Sequence, residues 1–346
     1  MASALSGTAR PARILVVGPA WVGDMVMAEC LFAHLKRKHP AARLEVLAPR
    51  WTLPLLRFMP AVNEGILLPF GHGELKLGKR RRLGQSLRAR SYDLALVLPG
   101  SLKSALVPYW SGATRRLGYG GVMRRMLLSE AVAKPELPQV ESFLALMDSR
   151  LRGHDDRGLE KFGPEEERRP RLAVAQAASE AALAALGLAR PAGPLLAIAP
   201  GAEYGPAKRW PERHFAELAA AKRRAGWTVW LFGSARDREI TATIAGDADL
   251  AGRTSLDQAV ALLALADAVV SNDSGLMHVA AALGRPQVAL FGPSDALRTG
   301  PRNPAARVLR LGLDCSPCNK RVCPLGHHRC LEDLTPAQAL AALPPP

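Results

Sequence analysis

A chain of 346 residues is long enough for two domains of ordinary size, each with a full core, and a hydrophobic share of 48% with 22% charged residues describes a globular protein. The formal net charge of +15 is uneven, because residues 1–150 hold 22 Lys/Arg against 10 Asp/Glu, so the first half is expected to meet an anionic partner. Aromatic residues at 5%, with no nucleic-acid module in sight, weigh against RNA or single-stranded DNA as that partner, and leave an acidic lipid surface or a phosphorylated acceptor.

The opening stretch MASALSGTARPARILVVGPAW lacks an apolar run of signal-peptide length, and AVALLALADAVV is interrupted by Asp267 and is too short to span a bilayer. A cytoplasmic protein is expected. RILVVG reads as a buried strand, and DMVMAECLFAHLKRKHP as a helix with Lys36, Arg37 and Lys38 at its negative end and Pro40 as its stop. RLEVLAP, EGILLPF and YDLALVLPG are further strands, WTLPLLRFMP a short helix and GKRRRLGQSLRARS a basic helix. Residues 152–172, RGHDDRGLEKFGPEEERRPRL, are charged and lack apolar periodicity, and so read as a linker. Domains at 1–175 and 176–346 follow. The second half repeats the alternation. After an Ala-rich helix stopped at Gly187 come the strands GPLLAIAPG, WTVWLFG, DAVVSND and PQVALFGP. The helices PERHFAELAAAKRRAG, DQAVALLALA, GLMHVAAALG and TPAQALAAL are interleaved with them or follow. Two doubly wound α/β domains with parallel sheets are expected, with ligands at the carboxyl ends of the strands in a crevice between the domains.

Three strand-to-helix turns carry chemistry. In GPAWVGD, Gly18 and Gly23 do not make a dinucleotide fingerprint, and Asp24 stands where a phosphate would dock. Asp24 is either an N-cap or a general base held ionised at the positive end of the helix. In PGAEYGPAKRWP, residues 200–211, an open Gly/Pro loop precedes Lys208, Arg209 and a helix start, a combination that suits a phosphate. In SNDSGLMHVAAALG, the backbone N–H groups of Ser274, Gly275 and Leu276 open a helix after a strand, with Asp273 before them and His278 one turn in. The second and third turns together suggest a two-sided anion site. Separately, Cys315, Cys318, Cys323 and Cys330 fall within one short stretch with His327 and His328 among them. A CxxC pair followed by two more thiols resembles a structural metal knuckle, most simply tetrahedral zinc, with an iron–sulfur cluster and four unligated thiols as the alternatives, and with no catalytic part.

The segments ILVVGPAWVGDMVMAECLF, GHGELKLGKRRRLGQSLR, YDLALVLPGSLKSALVPYWSG, PGAEYGPAKRWP, LFGSARDRE and NDSGLMHVAAAL occur in this order. Together they resemble glycosyltransferase family 9, the heptosyltransferases, over nearly the whole chain up to the cysteines. The resemblance implies a GT-B fold, two Rossmann-like domains facing a central cleft. It implies an ADP-heptose donor in the C-terminal domain and a phosphorylated lipid A-core acceptor in the N-terminal domain. Inverting α-1,3 transfer to the first inner-core heptose follows, without a catalytic cofactor, at the cytoplasmic face of the inner membrane. By position, Asp24 matches the catalytic base. Lys208 matches the lysine on the donor phosphates, and Asp273, Ser274, Gly275 and His278 match the donor motif. Asp237 and Glu239 both qualify for the ribose. Lys103 and the run Lys79, Arg80, Arg81, Arg82 would face the acceptor. The competing readings are another family 9 enzyme with a different acceptor, a non-catalytic binding protein and a nucleotide-dependent oxidoreductase. The absent G-x-G-x-x-G weighs against the last of these.

Overall fold

The computed structural model describes residues 10–71, 73–147 and 162–344. The chain divides into two compact units, 1–170 and 171–346. Part of the expected linker, 152–161, lies outside the described residues. The remainder of it is not a free tether. Arg168 of this stretch is ion-paired at 3.0 Å with the fully buried Glu141, and Phe162 is buried, so the charged run packs back onto the first unit.

In the first unit, β1 (Arg13–Val17), β2 (Arg43–Pro49), β3 (Glu64–Leu68), β4 (Leu94–Val97), β5 (Arg115–Tyr119) and β6 (Glu130–Val132) form one parallel sheet in the order β3-β2-β1-β4-β5-β6. The strands β1 and β4 are continuous apolar runs because helices cover both faces of a parallel sheet. The covering helices are α1 (Val22–Lys38), α2 (Leu77–Ser86), α3 (Leu106–Trp110) and α4 (Gln139–Met147). Leu15, Val17, Leu47, Ala95, Val97, Tyr92 and Val107 make one apolar cluster of this unit.

The second unit opens with α5 (Gln176–Leu186). It then runs β7 (Leu195–Ala199), α6 (Glu212–Arg224), β8 (Thr228–Leu231), α7 (Arg238–Ala242), β9 (Ala248–Asp249), α8 (Leu256–Leu263), β10 (Ala268–Asn272), α9 (Gly275–Ala282), β11 (Gln287–Leu290), α10 (Ala296–Thr299) and β12 (Ala306–Leu309). Its sheet order is β12-β11-β10-β7-β8-β9, also all parallel, which is the topology of the first unit repeated. The chain closes with α11 (Arg329–Glu332) and α12 (Pro336–Ala342). Leu331, Leu334, Ala339 and Leu343 of this closing segment join Trp210, Phe215, Leu218 and Val229 in the core, and the Trp210 indole N–H donates to the Leu334 carbonyl at 2.7 Å. Each sheet reverses strand order once, between β1 and β4 and between β7 and β10. Ligands of doubly wound sheets bind outside the carboxyl ends of the strands at that reversal.

Candidate active site

At the reversal in the first unit, the turn after β1 leads into α1. Its N-cap is Trp21, which makes no side-chain cap bond, and Asp24 lies inside the first turn. The N-cap alternative for Asp24 is therefore not what the fold uses. Asp24 is half-buried at the positive end of a 17-residue helix, where a negative charge is favoured. The turn is pinned by Trp51, whose indole N–H donates to the Ala20 carbonyl at 2.7 Å. Trp21 and Trp51 nevertheless stay 42% and 40% exposed.

The neighbouring strand β4 is followed by the loop that carries Lys103, which is half-buried. Lys79, Arg81 and Arg82 are exposed on α2. Arg80 departs from the expectation that the whole basic run faces an acceptor. It is buried to 3% exposure, stacks over the Phe70 ring at 4.2 Å and donates to the carbonyls of Leu75 (2.6 Å), Glu74 (3.0 Å) and Lys103 (3.3 Å). With its donors engaged by backbone, Arg80 supports the Lys103 loop rather than a ligand.

At the reversal in the second unit, the loop after β7 and the turn after β10 come together. Asn272, the last residue of β10, joins them: its side chain accepts from Trp210 N at 3.0 Å and donates to the Pro200 carbonyl at 2.6 Å. Lys208 Nζ is ion-paired with the Asp273 carboxylate, and Ser294 Oγ donates to the same Asp273 oxygen. Asp273 is buried and thus orients Lys208 and Ser294. Ser274 is the N-cap of α9, with Gly275 and Leu276 in the first turn and no side chain capping their N–H groups. His278, in the same helix, is buried, and burial pushes its pKa down to about 4. The Lys208 charge adds to that shift and Asp273 opposes it, so the ring is neutral at neutral pH.

Asp237 and Glu239 separate clearly. Asp237 is buried, and one of its oxygens accepts from Ser234 N and Ser234 Oγ, both at 2.8 Å. It lies against the loop after β7: a Cβ on Gly201 would sit 2.5 Å from its carboxyl carbon, which is why that position is glycine. Glu239 is exposed on α7. A cavity of about 330 Å³ opens beside Lys208 and is lined by Tyr204, Ser294, Asp295, Arg298, Thr299 and Asn319 as well. None of these six was named in the sequence as a site residue, although Tyr204 lies in the loop 200–211 and Asn319 among the cysteines; for Ser294 and Asp295 the sequence signal was the FGPSD turn at the end of β11, where a strand end, a glycine and a hydroxyl side chain coincide.

The expected zinc set is not supported. Cys315, Cys318, Cys323 and Cys330 do line one small cavity together with His327 and His328, but among the described residues no three Cys, His, Asp or Glu side chains form a group able to hold a metal. Burial pushes the Cys330 thiol up to about 11, with the other three cysteines adding to the shift.

Two parallel units of one topology, the first presenting a helix-end carboxylate and the second a lysine beside a hydroxyl-lined cavity, define the GT-B class of nucleotide-sugar glycosyltransferases. The signature of glycosyltransferase family 9 (heptosyltransferase) matches residues 80–329. The chain is 44% identical to the lipopolysaccharide heptosyltransferase 2 of Salmonella typhimurium, over 96% of this chain and 97% of that one. It is 40% identical to the lipooligosaccharide heptosyltransferase 2 of Haemophilus influenzae, over 95% and 98%. The solved E. coli ADP-heptose lps heptosyltransferase II superposes with a TM-score of 0.81 at 42% identity, covering 95% of this chain and 97% of that one. A family 9 glycosyltransferase from Veillonella parvula has the same fold at 19% identity, with a TM-score of 0.82 over 97% of both chains. The chain belongs to glycosyltransferase family 9, the heptosyltransferases.

Proposed function

We propose that this enzyme transfers L-glycero-D-manno-heptose from ADP-heptose to the first heptose of the lipopolysaccharide inner core, with inversion to an α-1,3 link. The observation that carries the reading is the Lys208–Asp273–Ser294 constellation at the strand reversal of the second sheet, opening on the 330 Å³ cavity. In this reading Lys208 and the free N–H groups of Ser274, Gly275 and Leu276 hold the diphosphate, and the lysine offsets charge developing on the departing ADP. Asp237, rather than Glu239, meets the ribose, because it lies against the donor loop while Glu239 faces solvent. Neutral His278 lies within electrostatic range of Asp273 and Lys208 and adds no charge there.

Asp24 takes the proton of the attacking acceptor hydroxyl, so that the new glycosidic bond forms as the anomeric carbon–phosphate oxygen bond breaks. Trp21 and Trp51, flat and exposed beside that turn, suit the face of a sugar ring. Lys79, Arg81, Arg82 and Lys103 suit the phosphates of a lipid A-core acceptor. Among the described residues no helix is long and apolar enough to cross a membrane. Peripheral contact with the cytoplasmic face of the inner membrane is supported by the basic bias of residues 1–150 and by Leu77, Met123 and Met126, exposed in the same unit.

The test is ADP release from purified protein supplied with ADP-heptose, with and without mono-heptosylated lipid A core, and with EDTA in parallel. Acceptor-dependent release that survives EDTA is expected. No release with this acceptor, from folded protein that binds ADP, would instead assign the enzyme to a family 9 reaction with a different acceptor.

A further inference from the structure

The segment 313–328, which carries Cys315, Cys318 and Cys323, runs between the two loops that meet at Asp273. One loop, 200–209, carries Lys208, and the other, 291–295, carries Ser294. Against the first loop, the Arg321 carbonyl accepts from Ala207 N at 3.0 Å, and the Tyr204 hydroxyl donates to the Asn319 carbonyl at 2.9 Å. His328 Nε2 lies 2.7 Å from the Ala207 carbonyl, which fixes that nitrogen as the protonated one. The approach is close enough to exclude a side chain at Gly205, where a Cβ would lie 2.5 Å from the Arg321 carbonyl oxygen. The Tyr204 ring also carries Lys208 Nζ at 5.0 Å and the Arg321 guanidinium at 5.2 Å. Against the second loop, Asn319 N donates to the Pro293 carbonyl at 2.7 Å and Ser316 Oγ donates to the Gly292 carbonyl.

These contacts close a ring that runs from Lys208 through Asp273, Ser294, Pro293, Asn319 and Tyr204 back to Lys208. Moving the 313–328 segment therefore moves both groups that hold Asp273. Behind the ring, the four thiols line a cavity of about 20 Å³ that is also walled by Ala207 and Pro293, one residue from each loop. A packed cavity of that size cannot take an added group without displacing a wall.

We propose that residues 313–328 form a strap that positions both sides of the diphosphate-binding site, so that modification of its thiols by a soft electrophile and binding of a nucleoside diphosphate oppose each other. The proposal rests on the reading of Lys208 as the diphosphate ligand. Reciprocity of the coupling holds for binding equilibria, and alkylation is irreversible, so the quantity that ADP changes is the alkylation rate: bound ADP holds the strap in its packed state and slows the reaction.

The experiment uses iodoacetamide, with each thiol mapped by peptide mass spectrometry. A thiol attacks the reagent's methylene carbon, a C–S bond forms, the C–I bond breaks, and iodide and the thiol proton leave. Saturating ADP is expected to slow alkylation of Cys315, Cys318 and Cys323 on the order of fivefold or more, while the buried Cys30 stays unreactive throughout. Tyr204→Phe removes one bond of the ring at an exposed position. It is expected to leave Tm and acceptor KM unchanged, raise the KM for ADP-heptose about 2- to 10-fold and reduce the protection at all three thiols. Unchanged alkylation rates with ADP bound, or protection undiminished in Tyr204→Phe, would overturn the strap and leave the donor site standing. Failure of the wild-type protein to bind ADP would overturn both.

Discussion

At the scale of single residues, the two units present opposite charges at their strand reversals, Asp24 in the first and Lys208 in the second. Asp24 sits in the first turn of α1, two residues inside the helix from Val22, where the helix end favours its charge. Asp24→Asn keeps the shape and removes the base. Turnover is expected to fall by a factor on the order of 10²–10⁴ with ADP affinity nearly intact, measured by steady-state ADP release and calorimetry. Near-normal turnover would reduce Asp24 to a structural acid. Lys208 is held by the buried Asp273, so its ammonium is aimed before a ligand arrives. Lys208→Ala should weaken ADP binding and slow transfer together, and a change confined to thermal stability would remove it from the donor site. The Asp24, Lys208 and Asp273 positions were legible in the sequence because each follows a strand at a turn rich in Gly, Pro or small polar residues. Arg80 was not, because nothing in the run KRRR distinguishes the arginine that points inward.

At the scale of elements, that arginine shows how a basic helix is fastened. Arg80 ties α2 to the loop after β4 through the Lys103 carbonyl and to the segment before α2 through the Glu74 and Leu75 carbonyls and the Phe70 ring, while Lys79, Arg81 and Arg82 on α2 face solvent. Arg80→Met would strand buried carbonyls and loosen the Lys103 loop. A loss of about 1–3 kcal/mol in urea unfolding is expected, together with a higher acceptor KM, whereas Arg82→Met should stay within about 0.5 kcal/mol. Equal stability of the two variants would contradict the buried role. The same scale shows what periodicity misses. β5, with the sequence RRLGY, carries two arginines at its start: Arg115 is ion-paired with Glu130 and Arg116 donates to the carbonyls of Leu127 and Ala113. β12 lies at a sheet edge with its middle residues exposed, so its sequence carries no buried apolar run.

At the scale of the whole molecule, a buried carboxylate inside the first unit contributes to acid stability. Glu45 on β2 is fully buried. Burial pushes its pKa up, but hydrogen bonds from Tyr92, Arg90, Arg43 and Arg13 outweigh this and hold it at about 2 against an ordinary 4.5. A group depressed in the folded state stabilises fully above its unfolded pKa and loses that contribution as pH falls through the folded one. Resistance to urea should therefore drop between about pH 4.5 and 2, and Glu45→Gln, less stable at neutral pH, should show a flatter profile across that window. A wild-type profile as flat as the variant's would dismiss the cluster as a stabiliser. The sequence by itself determined the two doubly wound units, the strands buried on both faces, the motif-bearing turns and the family, because hydrophobic period and turn chemistry are local properties of the chain. Only the tertiary structure decided which acid lies against the loop after β7, that Arg80 is internal, that the thiols line a cavity without forming a ligand group, and that the cysteine segment ties the Lys208 and Ser294 loops together. Each of those depends on contacts between residues far apart in sequence, whose mutual distance no local pattern encodes.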